Sequence, residues 1–121
     1  MILIVGGIAS GKRAYVRSLG YTDTDMDEAV LGHGCVLYGL ETLLRSGALD
    51  AQQIDAVKNK DVVCCCEVGM GVVPVDGEER AWRELVGRTC TELAKDAHEV
   101  VRMVCGIPVL LKDTSEVDSI G

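Results

Sequence analysis

The stretch Ile2-Leu3-Ile4-Val5-Gly6-Gly7-Ile8-Ala9-Ser10-Gly11-Lys12 decides the fold. Four consecutive aliphatic residues, Ile2–Val5, predict a short strand buried on both faces. Gly6–Lys12 predicts a tight turn, Lys12–Leu19 a helix, and Gly20 the stop of that helix. The turn fits G-x-x-x-x-G-K, in which glycines let successive N–H groups point inward at an anion. The helix that follows turns its positive end toward the same point. Gly6, Gly7, Ile8, Ala9, Ser10, Gly11, Lys12 and Arg13 are therefore the candidate nucleotide-binding residues, with ATP or GTP as ligand. Lys12 is the candidate catalytic cation, reaching the β- and γ-phosphates. The residue after the lysine is ordinarily Ser or Thr, whose hydroxyl ligates Mg²⁺. Arg13 stands there instead; it cannot ligate a metal and is expected to neutralise phosphate directly. Mg²⁺ use therefore stays open.

Outward from this stretch the pattern alternates between strand and helix. Tyr21–Asp25 predicts a second short strand or an extended loop. Val36, Leu37, Leu40, Leu43 and Leu44 follow helical spacing up to Gly47. Asp50 with Gln53 is a capping-box signature, with Leu49 placed to staple onto Ile54, and predicts a helix through about Asn59. Asp61–Cys66 reads as a central strand and Gly69–Gly77, with Pro74, as a loop. Asp76 and Glu79 start the longest helix, whose apolar face runs from Ala81 to Ala97. Glu99–Cys105 and Ile107–Lys112 predict two more strands, followed by a polar tail after Asp113. The order β-α-β-α-α-β-α-β predicts an α/β fold of the P-loop NTPase-like kind, a mostly parallel sheet flanked by helices. No linker or repeat divides the sequence, so residues 1–121 are expected to form one domain.

Composition narrows the function. Aromatics are only 3% with no Phe, so the core must be aliphatic with Cys and Met. The net charge is −7 with no basic stripe, which argues against nucleic acid as a partner. No apolar stretch approaches the length of a membrane span, and no signal-peptide pattern is present, so a cytoplasmic location is expected. The six cysteines lack CxxC or CxxH spacing and are expected to be reduced and mostly buried, with Cys64-Cys65-Cys66 inside an apolar run.

Beyond the loop, Asp23 and Asp25 alternate and would share one side of an extended segment, making them candidate Mg²⁺ ligands. Glu67 ends the Val62–Cys66 run, where ligands of α/β sheets bind, and is a candidate metal ligand or catalytic base. His33, between Gly32 and Gly34, has no identified acid partner and reads as polar surface.

Several stretches resemble one family. Gly6–Lys12, then Glu67-Val68-Gly69-Met70-Gly71-Val72-Val73-Pro74, is similar to the bifunctional adenosylcobinamide kinase/adenosylcobinamide-phosphate guanylyltransferases. Arg83, Gly87-Arg88, Ala94, Ala97, Glu99 and Val100 follow at that family's spacing, and Gly106-Ile107-Pro108 through Leu111-Lys112 is similar too. The resemblance implies a P-loop α/β domain of late cobalamin assembly, commonly a trimer, so a homo-oligomer is expected. It implies phosphorylation of a corrinoid, cobinamide, and then GMP transfer through a guanylylated His. The sequence departs from the family at named places. It is shorter between Gly20 and Asp61, where the His-rich stretch followed by Arg-Pro would lie, and His33 does not match that stretch. Arg13 replaces Ser, and Cys66 and Cys90 stand where Asn is usual. Gly20-Tyr21, Asp23-Thr24-Asp25 and Glu28 also resemble the Asp-x-Asp region of shikimate-kinase-type enzymes, over the first thirty residues alone. A small-molecule kinase of that type and a non-catalytic nucleotide-binding module remain the alternatives.

Overall fold

The structure, a computed structural model, describes residues 1–68 and 76–114. Strand β1 (Ile2–Gly6) is central. It pairs in parallel with β4 (Val62–Cys66) on one side and β5 (Glu99–Val104) on the other, placing Gly6 beside Cys66 and Met103. Short strands β2 (Met26–Glu28) and β3 (Val36–Tyr38) extend the sheet in parallel beyond β4. Strand β6 (Ile107–Asp113) closes the other side antiparallel to β5, giving the order β2-β3-β4-β1-β5-β6. The fold is the expected mostly parallel α/β sheet, P-loop NTPase-like.

The aliphatic runs follow from burial on both faces. Leu3, Leu37, Val63 and Cys65 join one core cluster, and Ile4, Val36, Val62, Cys64 and Val101 join the other. Side chains alternate across a strand, so neighbours such as Val62 and Val63 serve opposite layers. Each fully buried Leu or Val contributes about 1.5–3 kcal/mol. Helix α1 (Lys12–Ser18) covers the second cluster through Val16. Helices α2 (Leu40–Leu43), α3 (Ala51–Lys58) and α4 (Gly77–Asp96) cover the first. Helix α4 buries Val86, Thr89 and Leu93, which the helical repeat puts on one face. Asp76 caps it by accepting from the Glu79 N–H at 2.7 Å. Asp50 and Gln53 close a reciprocal capping box on α3. Lys58 ties α3 to α4 through Asp96 at 2.7 Å.

Two segments depart from expectation. Val36–Tyr38 is strand β3, because it pairs with β4, and Gly39 at φ 85° separates it from the helix that begins at Leu40. Val36 and Leu37 then pair with β4 and are buried in opposite layers, leaving only Leu40–Leu43 and a 3₁₀ turn over Leu44–Ser46 as helix. That turn ends at Gly47 as expected, at φ 116°. Tyr21–Asp25 holds no strand; Asp23–Asp25 is a 3₁₀ turn capped by Thr22, and the strand begins at Met26. The shared side expected of an extended Asp23–Asp25 is therefore lost.

Cys105 (φ 51°) and Gly106 (φ 78°) form the two-residue turn between β5 and β6, with the positive φ pair that such hairpins favour. Ile107, Val109, Leu110 and Leu111 leave β6 an exposed apolar edge. All six cysteines are free thiols, but only Cys64 and Cys65 are buried, and Cys105 is exposed. Among the described residues, no helix is long and apolar enough to cross a membrane. The expected loop over 69–75 and the tail from 115 lie outside the described residues.

Candidate functional site

The loop after β1 sits at the carboxyl ends of the parallel strands, between β4 and β5, where open α/β sheets take ligands. It is pinned from both neighbours. The Glu67 N–H donates to the Gly6 carbonyl at 2.8 Å, and the Gly106 N–H donates to the Ser10 carbonyl at 2.9 Å. The motif glycines have steric reasons. A Cβ at Gly6 would lie 2.5 Å from Ser10 Oγ and 2.9 Å from the Met103 carbonyl oxygen. Gly11 is left-handed at φ 96°, and a Cβ there would come within 3.0 Å of Gly106 Cα. Ala9 also takes a left-handed φ of 57°, a strain that non-glycine residues usually avoid and that clusters at binding sites. Ile8 is exposed at the crest of the loop. Gly11 offers α1 no capping side chain, so the first N–H groups of the helix keep no side-chain acceptor from it.

Lys12 is 6% exposed. Its ammonium turns back into the loop and donates to the carbonyls of Gly7 (2.7 Å) and Gly6 (3.2 Å), with Ser10 Oγ at 3.5 Å. Three donors thus meet three acceptors, all of them neutral. Among the described residues no carboxylate pairs with Lys12. A buried charge is expected to be paired, so this one calls for an anion.

Arg13 reaches the ends of β2 and β3. Its guanidinium pairs with Glu28, lies 4.4 Å from the centre of the Tyr38 ring and touches Met26 Sδ at 3.7 Å. Pairing with Glu28 pushes its pKa up. Asp23 is held by Arg17 at 2.9 Å, and Asp25 accepts from the Thr22 N–H at 2.8 Å. Glu67, at the end of β4, pairs with Arg102 of β5 at 2.9 Å.

A cleft of about 350 Å³ opens beside the loop, lined among others by Ile8, Glu41, Arg45, Glu67, Trp82 and Arg83. Glu41 accepts from the Cys66 N–H at 2.8 Å, which anchors α2 to the end of β4. The Trp82 indole donates to the Glu41 carbonyl at 2.8 Å, and the Arg45 guanidinium stacks on the Trp82 ring at 3.3 Å. Burial pushes the Cys64 thiol up to about 12, against the opposing pull of Lys12 and Arg13. Cys66 is also raised by burial, with Lys12 opposing and Glu41 and Glu67 reinforcing.

Mg²⁺ is the metal this fold ordinarily holds beside such a loop. The residues do not fit it. Arg13 brings a positive charge where a hydroxyl ligand belongs, while Asp23, Asp25 and Glu67 are each engaged elsewhere. Among the described residues, no group of three Asp, Glu, His or Cys side chains converges to hold a metal ion.

Residues 6–13 run from the end of β1 as one loop and helix start, and Glu67 lies at the same end of the sheet. Asp23 and Asp25 lie in the turn before β2, and His33 is exposed. Glu41, Arg45 and Arg102 escape sequence reasoning. Glu41 sits in a four-residue helix without periodicity, and the Arg102–Glu67 pair depends on a strand order that no local pattern reveals.

No curated protein matches the chain. A family model described as cobinamide kinase / cobinamide phosphate guanyltransferase matches residues 41–111. The match runs from α2 into β6 and takes in Glu67, Arg83 and Gly106; residues 6–13 lie outside it. Since more than half of the sequence is matched, the chain belongs to the cobinamide kinase / cobinamide phosphate guanyltransferase family.

Proposed function

We propose that this chain binds ATP or GTP through Gly6–Arg13 and transfers the terminal phosphoryl group to the hydroxyl of a corrinoid, cobinamide. The observation that carries the proposal is the buried Lys12 ammonium, which has neutral acceptors and no carboxylate partner among the described residues. A phosphate at the loop supplies the missing anion, and Lys12 then follows the charge that grows on the transferring group. The 350 Å³ cleft beside Ile8 and Glu67 is the place for the acceptor hydroxyl. It lies at the small end of the usual range for ligand pockets, about 300–1,000 Å³, and so suits the hydroxyl-bearing arm of a corrinoid rather than the large ring. Glu67 is the candidate base, with Arg102 orienting its carboxylate. GMP transfer is not included, because His33 is exposed and has no orienting partner among the described residues. Self-association belongs to the same proposal and is supported by the apolar edge of β6.

A second reading, a nucleotide-binding module without catalysis, is favoured by one observation: the candidate base is already engaged by Arg102. Incubation of the chain with cobinamide and γ-labelled ATP or GTP separates the two. Label is expected on the corrinoid with wild type, and its loss in both Lys12→Ala and Glu67→Gln. Nucleotide binding with no label transferred under any condition would establish the module instead.

A further inference from the structure

Arg13 occupies the motif position whose hydroxyl ordinarily ligates the metal. Its side chain is held from several directions. Glu28 at the end of β2 pairs with one terminal nitrogen, Met26 Sδ lies 3.7 Å from the other, and the Tyr38 ring lies under the guanidinium carbon at 4.4 Å. Asp23 Oδ1 stands 4.0 Å away. Arg13 and Glu28 line a cleft of about 250 Å³ that continues past Tyr38 and Gly39 to Glu41 and Thr42. Glu41 and Thr42 also line the cleft that contains Ile8 of the phosphate loop, so the two clefts share a wall. Glu28, the carboxylate that pairs with Arg13, is committed to that arginine rather than left for a metal ion.

We propose that the Arg13 guanidinium takes the place of the divalent metal as the second cation facing the nucleotide phosphates, so that this chain binds its nucleotide without a metal. The proposal rests on the phosphate-loop reading. Arginine is suited to the substitution because its charge is permanent and its planar donors match two phosphate oxygens at once. Glu28 and Tyr38 hold the guanidinium in place before ligand arrives, which reduces the ordering needed on binding. A metal ion brought in by the nucleotide would meet this fixed positive charge, so its usual gain in affinity disappears.

The test is calorimetric titration of the full chain with ATP and with GTP, in EDTA and in excess Mg²⁺, for wild type, Arg13→Ser, Arg13→Lys and Lys12→Ala. Wild-type affinity is expected to agree within about twofold with and without Mg²⁺, whereas Arg13→Ser loses about tenfold in EDTA, or 1.4 kcal/mol. Arg13→Ser, which restores a hydroxyl ligand, is expected to recover affinity when Mg²⁺ is added. Arg13→Lys keeps a charge and is expected to fall between wild type and Arg13→Ser in EDTA. Circular dichroism melts of the variants show whether any loss comes from unfolding. Wild-type affinity that rises about tenfold or more with Mg²⁺ would overturn the proposal, as would folded Arg13→Ser binding as tightly as wild type in EDTA. Binding that survives Lys12→Ala unchanged, or is absent throughout, would instead remove the phosphate-loop reading beneath it.

Discussion

Replacing Gly6 by alanine tests the loop geometry at its tightest point. The new Cβ would meet Ser10 Oγ at 2.5 Å and the Met103 carbonyl oxygen at 2.9 Å. Ser10 can rotate away, although its hydroxyl is one of the three acceptors around the Lys12 ammonium. The Met103 carbonyl cannot yield so easily, because it belongs to β5, which is fixed to β1 along its length. Overpacking of this kind costs about 1–3 kcal/mol. A folded chain of this length loses about 4 °C in Tm per kcal/mol, so Gly6→Ala is expected to melt about 4–12 °C below wild type. Gly7 supplies the internal control: a Cβ there meets nothing within 4 Å, and its φ lies outside the left-handed region. Gly7→Ala is expected to stay within about 0.5 kcal/mol of wild type, or to gain slightly from reduced unfolded-state freedom. Thermal melts followed by circular dichroism, with urea midpoints as a second measure, compare the pair. Equal stability of the two variants would refute the close approach of β1, Ser10 and β5 on which the loop depends.

Other consequences are simpler to measure. Asp50→Ala removes the cap of α3 and one half of its capping box, and is expected to cost about 1 kcal/mol, seen as a lower urea midpoint with an unchanged slope. Native-state alkylation near neutral pH followed by peptide mapping is expected to label exposed Cys105 first. It should leave Cys65 and Cys64, whose thiol is pushed up to about 12, unmodified until the protein unfolds. Early labelling of Cys64 would contradict the packing of β4 between two layers.

The parts of this fold that could be read from sequence are those set by local chemistry. Ile2–Val5 and Val62–Cys66 are apolar throughout, the first aliphatic and the second Val and Cys, because both faces of a central parallel strand are covered. Asp50, Asp76 and Gly47 act at helix ends through their own side chains or backbone freedom, so each marked its boundary. The tight turn over Gly6–Lys12 was legible for the same reason, since its shape follows from glycines within six residues of one another. Val36-Leu37-Tyr38 was not: three apolar residues support helix or strand equally, and pairing with β4 decided for strand. Asp23 and Asp25 misled because their alternation matters only in an extended chain, and the Thr22 cap winds them into a turn. The Glu67–Arg102 and Arg13–Glu28 pairs were invisible because they link residues that only the strand order brings together. Both hold a carboxylate at a strand end against an arginine.

The most direct test of the central claim is thermal unfolding of wild type and Lys12→Ala with and without ATP and GTP. A nucleotide present at 100 times its Kd should stabilise wild type by about 2.7 kcal/mol, a rise of several degrees. The account predicts that rise with at least one of the two nucleotides and its loss in Lys12→Ala. No rise with either nucleotide, or an equal rise in the variant, would contradict the assignment of Gly6–Arg13 as the nucleotide site.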